Sequence, residues 1–322
     1  MAALPWSPSP SMNWTSDLKE NRVIILVGAT AVGKTQISLE LARKMNAEIV
    51  SADSRQVYRY MDIGTAKPAA EERGQVPHHF IDIRNPDEYY SAGEYGRAAR
   101  RRVAEIFERE KQPLVVGGSG FYIQALVDGL FAPQISVPEI KEKWHRRVEK
   151  EGKDKIFALL EKIDPKSAQR LHPNDVQRVV RALEVHELTN VPLSAFQPGR
   201  EEAADFDTVF FGLTRKRDRL YQRIEARVDA MIEAGLFLEV RSLMEKGYDE
   251  RYNALQTVGY REVFPCLRGE ISRQDSIAAI KTNSRRYAKR QMVWFRRDKR
   301  IHWLDADMLS SAELIKAVLK SL

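Results

Sequence analysis

Short apolar runs rich in β-branched residues recur along the chain and alternate with amphipathic stretches. The first run, Val23–Val27, has no polar alternation, which is typical of a strand buried on both faces of a parallel sheet. Further runs predict strands over Glu48–Ala52, Phe80–Ile83, Leu114–Gly117, Thr208–Leu213 and Ile301–Leu304. Apolar residues at helical spacing predict helices over Gln36–Met45 and Gly93–Lys111. Strands that alternate with helices indicate an α/β fold with a parallel sheet flanked by helices.

The pattern changes between residues 133 and 202, where charged helices dominate and no strand pattern appears. Helices are predicted there over Pro138–Glu151, Lys153–Lys162 and Asn174–Leu188. Prolines mark the edges of this region, as is usual for domain borders. We therefore predict an inserted all-helical domain over 133–202, within an α/β core formed by 21–132 and 203–322.

Two long helices are predicted after the insertion, over Lys216–Lys246 and Arg273–Arg297. In the second, 3.6-residue periodicity predicts an inward stripe of Ile277, Ile280, Ser284, Tyr287, Gln291 and Trp294. At the other end of the chain, residues 1–20 are rich in Pro and Ser and lack the segments of a signal peptide. They are predicted to form a flexible extension.

Composition excludes several classes of protein. The chain has 322 residues, of which 43% are hydrophobic and 30% charged, so a fibrous or wholly disordered protein is excluded. No apolar run approaches the ~18 residues of a membrane span, and we expect no membrane association. The single cysteine, Cys266, cannot form an internal disulfide. A reducing compartment, the cytoplasm, fits this cysteine usage best.

Positive charge is concentrated near the end of the chain. The net charge is +7, and the segment Arg285–Arg300 holds eight cations against the single acid Asp298. A solvated basic face is the usual meaning of such a run, but this density favours an RNA partner. Arg285, Lys289 and Arg296 fall on a flank of the predicted helix, where they could follow a phosphate backbone.

The pattern G-x-x-x-x-G-K-[ST] lies directly after the first predicted strand and directly before a predicted helix. It comprises Gly28, Ala29, Thr30, Ala31, Val32, Gly33, Lys34 and Thr35. Backbone N–H groups of such a loop, with the positive end of the helix, stabilise phosphate oxygens. Lys34 would neutralise the terminal phosphate and the Thr35 hydroxyl would bind Mg²⁺. The motif predicts a P-loop NTPase-like core that binds a di- or triphosphate.

Asp53 follows the second predicted strand, at the sheet edge where open α/β folds bind their ligands. An Asp there could accept a proton from a nucleophile that attacks the phosphorylated substrate. A turn or helix-cap role is equally compatible with the pattern. Small-molecule kinases also place an acid near this position, so Asp53 indicates group transfer without identifying the group.

Segments along nearly the whole chain, from about Val23 to Leu304, carry a resemblance to a known family. Besides the phosphate loop, they are Ser51–Tyr58, Asp62–Pro68, Val116–Tyr122, Asn174–Glu184, Arg227–Asp229, Gly259–Glu262 and Lys289–Arg296. In this combination they resemble the tRNA dimethylallyltransferases, also called tRNA isopentenyltransferases or IPP transferases. The phosphate loop alone is common, whereas the combination is specific.

The resemblance implies a prenyltransferase. Members of the family move a dimethylallyl group from dimethylallyl diphosphate to the exocyclic amine of the adenosine immediately 3′ of the anticodon in tRNA. It implies that the phosphate loop holds the diphosphate leaving group, with Mg²⁺ as cofactor. Asp53 corresponds to the general base, and Lys34, Thr35 and Ser119 complete the implied catalytic set, with Thr35 as the metal ligand.

The resemblance also implies contacts with the tRNA anticodon stem-loop. The implied contact residues are Asp53, Ser54, Arg55, Gln56, Ser119, Lys141, Gln177, Arg178, Val179, Val180, Arg181, Arg217, Gly259, Tyr260, Arg261, Lys289, Arg290, Gln291, Trp294 and Arg296. Ser119 stands where the family usually carries Thr, and Lys141 where some members have Arg. Without the resemblance, Asn174–Leu188 would read as a solvated amphipathic helix. We expect the protein to act as a monomer.

Three other functions compete with this interpretation. A P-loop kinase that uses ATP explains the loop and Asp53, but leaves the insertion and the basic helix unexplained. An enzyme that prenylates free adenine nucleotides shares the same chemistry and differs in its acceptor. An RNA-binding protein with a vestigial loop is disfavoured because Lys34 and Thr35 are both retained.

Overall fold

The computed structural model of the chain describes residues 22–130, 137–196 and 204–322. These residues form two compact units, a larger one of residues 22–127 and 204–322 and a smaller one of residues 128–130 and 137–196. The predicted domain borders near residues 133 and 203, and the predicted N-terminal extension, lie outside the described residues. No helix in the described part of the chain is long and apolar enough to span a bilayer.

A six-stranded parallel sheet forms the centre of the larger unit. Its strands are β1 Arg22–Gly28, β2 Ala47–Ala52, β3 His78–His79, β4 Gln112–Gly117, β5 Asp207–Thr214 and β6 Ile301–Asp305. The strand order is β3-β2-β4-β1-β5-β6. This sheet confirms the predicted α/β class.

Helices connect the strands and continue the chain in both units. Those of the larger unit are α1 Lys34–Met45, α2 Ala70–Gln75, α3 Ala92–Glu108, α4 Gly120–Val127, α9 Arg217–Glu233, α10 Leu236–Glu245, α11 Val263–Leu267, α12 Arg273–Phe295 and α13 Ser311–Lys320. Those of the smaller unit are α5 Pro138–Glu151, α6 Lys153–Ile163, α7 Pro165–Ala168 and α8 Val176–Thr189.

The apolar run of β1 is buried because the strand lies inside the sheet, between β4 and β5. Ile24 and Leu26 belong to a core that also contains Leu41 of α1 and Leu314 of α13. At the carboxyl ends of three adjacent strands, Val27 pairs with Gly117 and Gly117 with Ala52. The residues that follow these strands therefore emerge side by side at one edge of the sheet.

Two predicted elements differ from the structure. Phe80–Ile83 is not a strand, because the described strand ends at His79 and the backbone of Phe80 and Asp82 lies in the left-handed region (φ 65° and 56°). The helix predicted over Lys216–Lys246 is two helices, α9 and α10. Gly235, with φ of 100°, separates them, and such a conformation favours glycine and ends a helix.

The smaller unit is all helical and has its own core. Trp144 of α5, Leu160 of α6 and Leu183 of α8 are buried together in it. The Asp164 carboxylate accepts hydrogen bonds from the backbone N–H groups of Ser167 (3.0 Å) and Ser194 (2.9 Å). It thereby caps α7 and joins two turns of the unit.

Candidate active site

A cavity of about 740 Å³ opens in the larger unit, where β1, β2 and β4 end. Its lining includes Thr30, Gly33, Lys34, Thr35, Asp53–Gln56, Gly117, Gly118, Arg223, Arg227, Gln256–Gly259, Arg261, Tyr287, Arg290 and Gln291. The phosphate loop, between β1 and α1, and the Asp53 segment after β2 are thus brought to one place. This is the edge at which ligands of doubly wound sheets bind.

The carbonyl groups of the phosphate loop accept hydrogen bonds from cationic side chains. Four carbonyls accept such bonds, two from Lys34 and one each from Arg223 of α9 and Arg215, which precedes α9. The bonds are Lys34 Nζ to Gly28 O (2.8 Å) and Ala29 O (2.9 Å), Arg223 Nε to Ala31 O (2.9 Å), and Arg215 Nε to Val32 O (3.0 Å). Positive charge therefore surrounds the loop, as an anion-binding site requires.

The ammonium group of Lys34 lies in a strongly positive environment. Burial lowers the pKa of Lys34 to about 8, and the charge of Arg227 acts in the same direction while Asp53 opposes it. Burial also lowers the pKa of Arg227. Because burial disfavours the charge of both side chains, an anion placed between them would be bound strongly.

Asp53 is held in place by the backbone that follows it. Its Oδ1 accepts hydrogen bonds from the N–H groups of Arg55 (2.9 Å) and Gln56 (3.4 Å). Tyr287 of α12 lies nearby: burial raises the pKa of Tyr287 to about 12, and the negative charge of Asp53 acts in the same direction. The local turn orients the Asp53 carboxylate at the cavity wall, so the turn role and the proton-acceptor role are compatible.

Ser119, which lies between β4 and α4, forms hydrogen bonds with Ala52 and Ser54, the two residues that flank Asp53 in sequence. The Ser119 N–H donates to Ala52 O (3.1 Å), and its Oγ accepts from the Ser54 N–H (2.9 Å). Its hydroxyl also donates to Ser54 Oγ (3.2 Å). The side chain predicted to be catalytic therefore braces the Asp53 segment.

Arg55 and Gln56 are anchored to other loops of the larger unit. Arg55 Nη1 donates to the carbonyl of Asn253 (2.7 Å), and Gln56 Nε2 donates to the carbonyls of Thr65 (3.3 Å) and Ala66 (3.2 Å). Both side chains line the cavity. They are thus pre-oriented at its wall.

Apart from Ser119, the predicted tRNA contacts of the larger unit divide into three groups. Asp53, Ser54, Arg55, Gln56, Gly259, Arg261, Arg290 and Gln291 line the cavity. Arg217, Lys289, Trp294 and Arg296 are exposed and are not part of its lining. Tyr260 is fully buried and donates its hydroxyl to Glu239 (2.5 Å), so its side chain is packed inside the larger unit, and its contact with RNA stays a prediction.

The inward stripe predicted for α12 is also partly wrong. Trp294 is 38% exposed and forms an edge-to-face pair with Phe121, whereas Ala288 and Phe295 are buried. Gln291 is buried as the stripe predicts, but its buried neighbours on the helix are Ala288 and Phe295 in place of Trp294. Polar Gln291 is only 6% exposed.

The predicted contacts of the smaller unit lie on two helices. Lys141 is half-buried on α5, and Gln177 and Arg178 are exposed on α8. Arg181 is paired with the buried Glu184 (2.8 Å). The side chains of Val179 and Val180 are buried in the core of the unit, and the contact of these residues with RNA stays a prediction.

Sequence reasoning included Arg223 and Arg227 of α9 among the segments that carry the resemblance, but it gave these two cations no role in the site. Both line the cavity, and they lie four residues apart, which places them on one face of the helix. That spacing was a usable signal. It was not decisive, because only the packing of α9 shows which face meets the phosphate loop.

A magnesium ion would find few protein ligands here. Among the described residues, no group of three or more His, Cys, Asp or Glu side chains could hold a metal. Among the oxygens of the cavity lining are the Thr35 hydroxyl and the Asp53 carboxylate. Mg²⁺ is commonly bound by one or two protein oxygens with substrate phosphates and water, so this sparse set of oxygen ligands fits it.

Comparison with known proteins agrees with this geometry. The family model described as IPP transferase matches residues 56–298. The chain belongs to the IPP transferase family. One relative, the tRNA dimethylallyltransferase of Alkaliphilus oremlandii (strain OhILAs), is 44% identical over 303 residues, which are 94% of this chain and 97% of that protein.

Solved IPP transferase structures share the fold. The tRNA isopentenylpyrophosphate transferase of Bacillus halodurans is 39% identical with a TM-score of 0.70, covering 94% of this chain and 95% of that one. A eukaryotic dimethylallyltransferase acting on tRNA is 33% identical with a TM-score of 0.76, covering 89% of this chain and 74% of that one. The predicted family is therefore confirmed.

Proposed function

We propose that this protein transfers a dimethylallyl group from dimethylallyl diphosphate to the exocyclic amine of the adenosine immediately 3′ of the anticodon in tRNA. The products are isopentenyladenosine in tRNA and diphosphate. The observation that carries the proposal is the shared cavity, in which a phosphate loop and Asp53 face each other in a member of the IPP transferase family. The named relatives act on tRNA, which supports the choice of acceptor.

In this proposal the positive groups of the cavity bind the leaving group. Phosphate-loop N–H groups, Lys34, Arg223 and Arg227 hold the diphosphate. As the carbon–oxygen bond breaks, its electrons pass to the diphosphate oxygen, and the fixed positive charges stabilise them. Apolar side chains on the cavity wall shelter the dimethylallyl group: Ile224, Val228, Met231, Val258 and Ile280.

The acceptor amine forms the new bond. Its nitrogen attacks the allylic carbon, a carbon–nitrogen bond forms, and the surplus proton passes to the Asp53 carboxylate. The adenine must leave its stack in the anticodon loop to reach this group. Gln56 and Arg55, anchored at the cavity wall, are placed to contact the displaced nucleotide.

Magnesium is the cofactor that the oxygen ligands fit. Thr35 would hold it, with diphosphate oxygens completing the coordination. Bound there, it supplies further positive charge to the departing diphosphate. We propose that the enzyme works as a monomer in the cytoplasm, because one chain contains the whole cavity and no described helix suits a membrane.

The test is transfer of label from dimethylallyl diphosphate in the presence of Mg²⁺. Unmodified tRNA, AMP and no acceptor are compared, and ATP hydrolysis is followed in parallel without label. We expect label in tRNA at the adenosine 3′ of the anticodon and no ATP turnover. Label in AMP alone would identify a nucleotide prenyltransferase, and ATP turnover without prenyl transfer would support the kinase.

A further inference from the structure

Gln291 of α12 is a buried polar residue whose side-chain amide oxygen and amide nitrogen each form a hydrogen bond with the backbone at the cavity. Its Oε1 accepts a hydrogen bond from the Thr30 N–H of the phosphate loop (2.9 Å). Its Nε2 donates to the carbonyl of Gly118 (2.9 Å), in the turn between β4 and α4. The side chain therefore joins two loops that are distant in sequence and that follow the adjacent strands β1 and β4.

We propose that Gln291 is a positioning residue that sets the distance between the phosphate loop and the general base. This inference rests on the proposed function, because it assigns Gln291 a part in prenyl transfer. It also differs from the role implied by resemblance: with 6% exposure and both polar groups bonded within the protein, the side chain is not available to RNA.

The connection continues from Gly118 to Asp53 without a gap. Ser119, the next residue, donates its N–H to Ala52 O (3.1 Å) and accepts from the Ser54 N–H at Oγ (2.9 Å). Both partners flank Asp53 in sequence. A shift of the Gly118 turn would therefore move the Asp53 carboxylate, and Gln291 ties that turn to the loop that holds the leaving group.

The close fit at Gly118 shows that this contact is specific. A Cβ atom added to Gly118 would lie 2.2 Å from Gln291 Nε2, well inside the contact limit. Only glycine allows the amide to approach the backbone so closely. Gly118 and Gln291 thus form a matched contact. This contact explains why a polar side chain is buried on a helix face otherwise packed with Ala288 and Phe295.

The chemistry of the contact requires an amide. The site offers one donor, the Thr30 N–H, and one acceptor, the Gly118 carbonyl, so the side chain must accept at one end and donate at the other. A carboxylate would satisfy Thr30 but would set negative charge against the Gly118 carbonyl. Methionine has a similar shape and makes neither bond.

The experiment compares the wild type with Gln291→Met, Gln291→Glu and the control Val293→Ala, an exposed position on the same helix. Each is measured for single-turnover prenyl transfer, tRNA affinity, inorganic diphosphate affinity and thermal unfolding. We expect Gln291→Met to lower the transfer rate and diphosphate affinity roughly tenfold to a hundredfold, with tRNA affinity within about twofold. Gln291→Glu should be impaired more, and Val293→Ala should match the wild type.

A double-mutant cycle with Ser119→Ala tests the coupling itself. If Gln291 acts through the Ser119 turn, the double variant should transfer no more slowly than the worse single variant. Additive losses would overturn the inference, as would a loss of tRNA affinity equal to the loss of rate. Unchanged rate and diphosphate affinity in folded Gln291→Met protein would show a purely structural side chain.

The diphosphate measurement keeps this inference separate from the proposed function. It needs no prenyl transfer, so it still reports on the loop if the wild type fails to label tRNA. In that case the proposed function fails, and a Gln291→Met protein that binds diphosphate like the wild type would overturn the inference as well. A selective loss of diphosphate affinity would support the positioning of the loop by Gln291.

Discussion

The two units of the protein present their predicted functional residues in opposite ways. In the larger unit, side chains from distant segments converge on one cavity, and Asp53, Gln56 and Ser119 are each bonded to backbone. In the smaller unit, Gln177 and Arg178 are exposed on α8, a helix that also contributes to the core of that unit. The difference indicates that fixed geometry for chemistry resides in the larger unit, whereas the smaller unit offers surface for recognition.

Acidic side chains that accept hydrogen bonds from backbone N–H groups show the same division between the two units. Glu239 of α10 accepts hydrogen bonds from the N–H groups of residues 62–64, at 2.9, 2.8 and 3.2 Å. The loop it holds supplies the Thr65 carbonyl to Gln56 and to Arg227. Asp164 of the smaller unit caps backbone in a similar way, but the turns it joins belong to that unit alone.

The largest effect is expected at Asp53. Asparagine keeps the oxygen that accepts from the Arg55 N–H but cannot take up the proton of the amine. We expect Asp53→Asn to lower the single-turnover transfer rate by roughly 10²–10⁴-fold, with tRNA affinity within a few-fold. Rapid-quench assays measure the transfer rate, and filter binding measures the tRNA affinity. An equal loss of both would show that Asp53 positions RNA rather than accepting a proton.

Glu239→Gln and Asp164→Asn form a matched pair. Each neutralises a carboxylate that bonds to backbone N–H groups, and each should cost about 2 kcal/mol of stability in denaturant unfolding. Only Glu239→Gln should also lower the transfer rate, by roughly tenfold, because Gln56 and Arg227 lose their support. If Asp164→Asn slowed transfer by the same factor in folded protein, the division between the units would be refuted.

The pKa of Lys34, lowered to about 8 by burial and Arg227, predicts a pH effect. An anion prefers the protonated lysine, so affinity for inorganic diphosphate should be highest below pH 8 and fall as the pH rises above it. Calorimetry from about pH 6.5 to about pH 9.5 measures this, with Lys34→Arg as the control because arginine stays charged. If the affinity fell equally with pH in the wild type and in Lys34→Arg, the titrating group would be another one, such as diphosphate itself.

The smallest effect is expected at Arg178 of the smaller unit. Its side chain is 69% exposed, and Arg146 of α5, at 68%, is a matched control outside the predicted contacts. Arg178→Ala should weaken tRNA binding a few-fold and reduce the slope of log affinity against log salt by about one. If Arg146→Ala changed both quantities as much, the effect would reflect general charge rather than a contact by α8.

Local patterns were sufficient for much of the fold. The β1 run, the phosphate loop and the start of α1 are contiguous in the chain, so their arrangement could be predicted directly. Asp53 could be placed at the site because parallel strands end at a common edge. The resemblance carried by short segments is confirmed by the family model over residues 56–298.

What could not be predicted depends on packing between distant segments. A periodicity of 3.6 residues identified α12 as amphipathic and placed Gln291 on its inward stripe, but it also placed there Trp294, which is exposed. The break at Gly235 was visible as a glycine within a helical pattern, yet the surrounding apolar spacing continued through it. Arg223 and Arg227 reach the phosphate loop only because α9 packs beside it.

The central claim, that chemistry belongs to the larger unit, is tested most directly by one measurement on Arg178→Ala. The single-turnover rate of prenyl transfer is determined at saturating tRNA, beside the wild type and Asp53→Asn. We predict that Arg178→Ala, once saturated, transfers within about twofold of the wild type while Asp53→Asn remains slower by orders of magnitude. A rate for saturated Arg178→Ala as low as that of Asp53→Asn would contradict the claim.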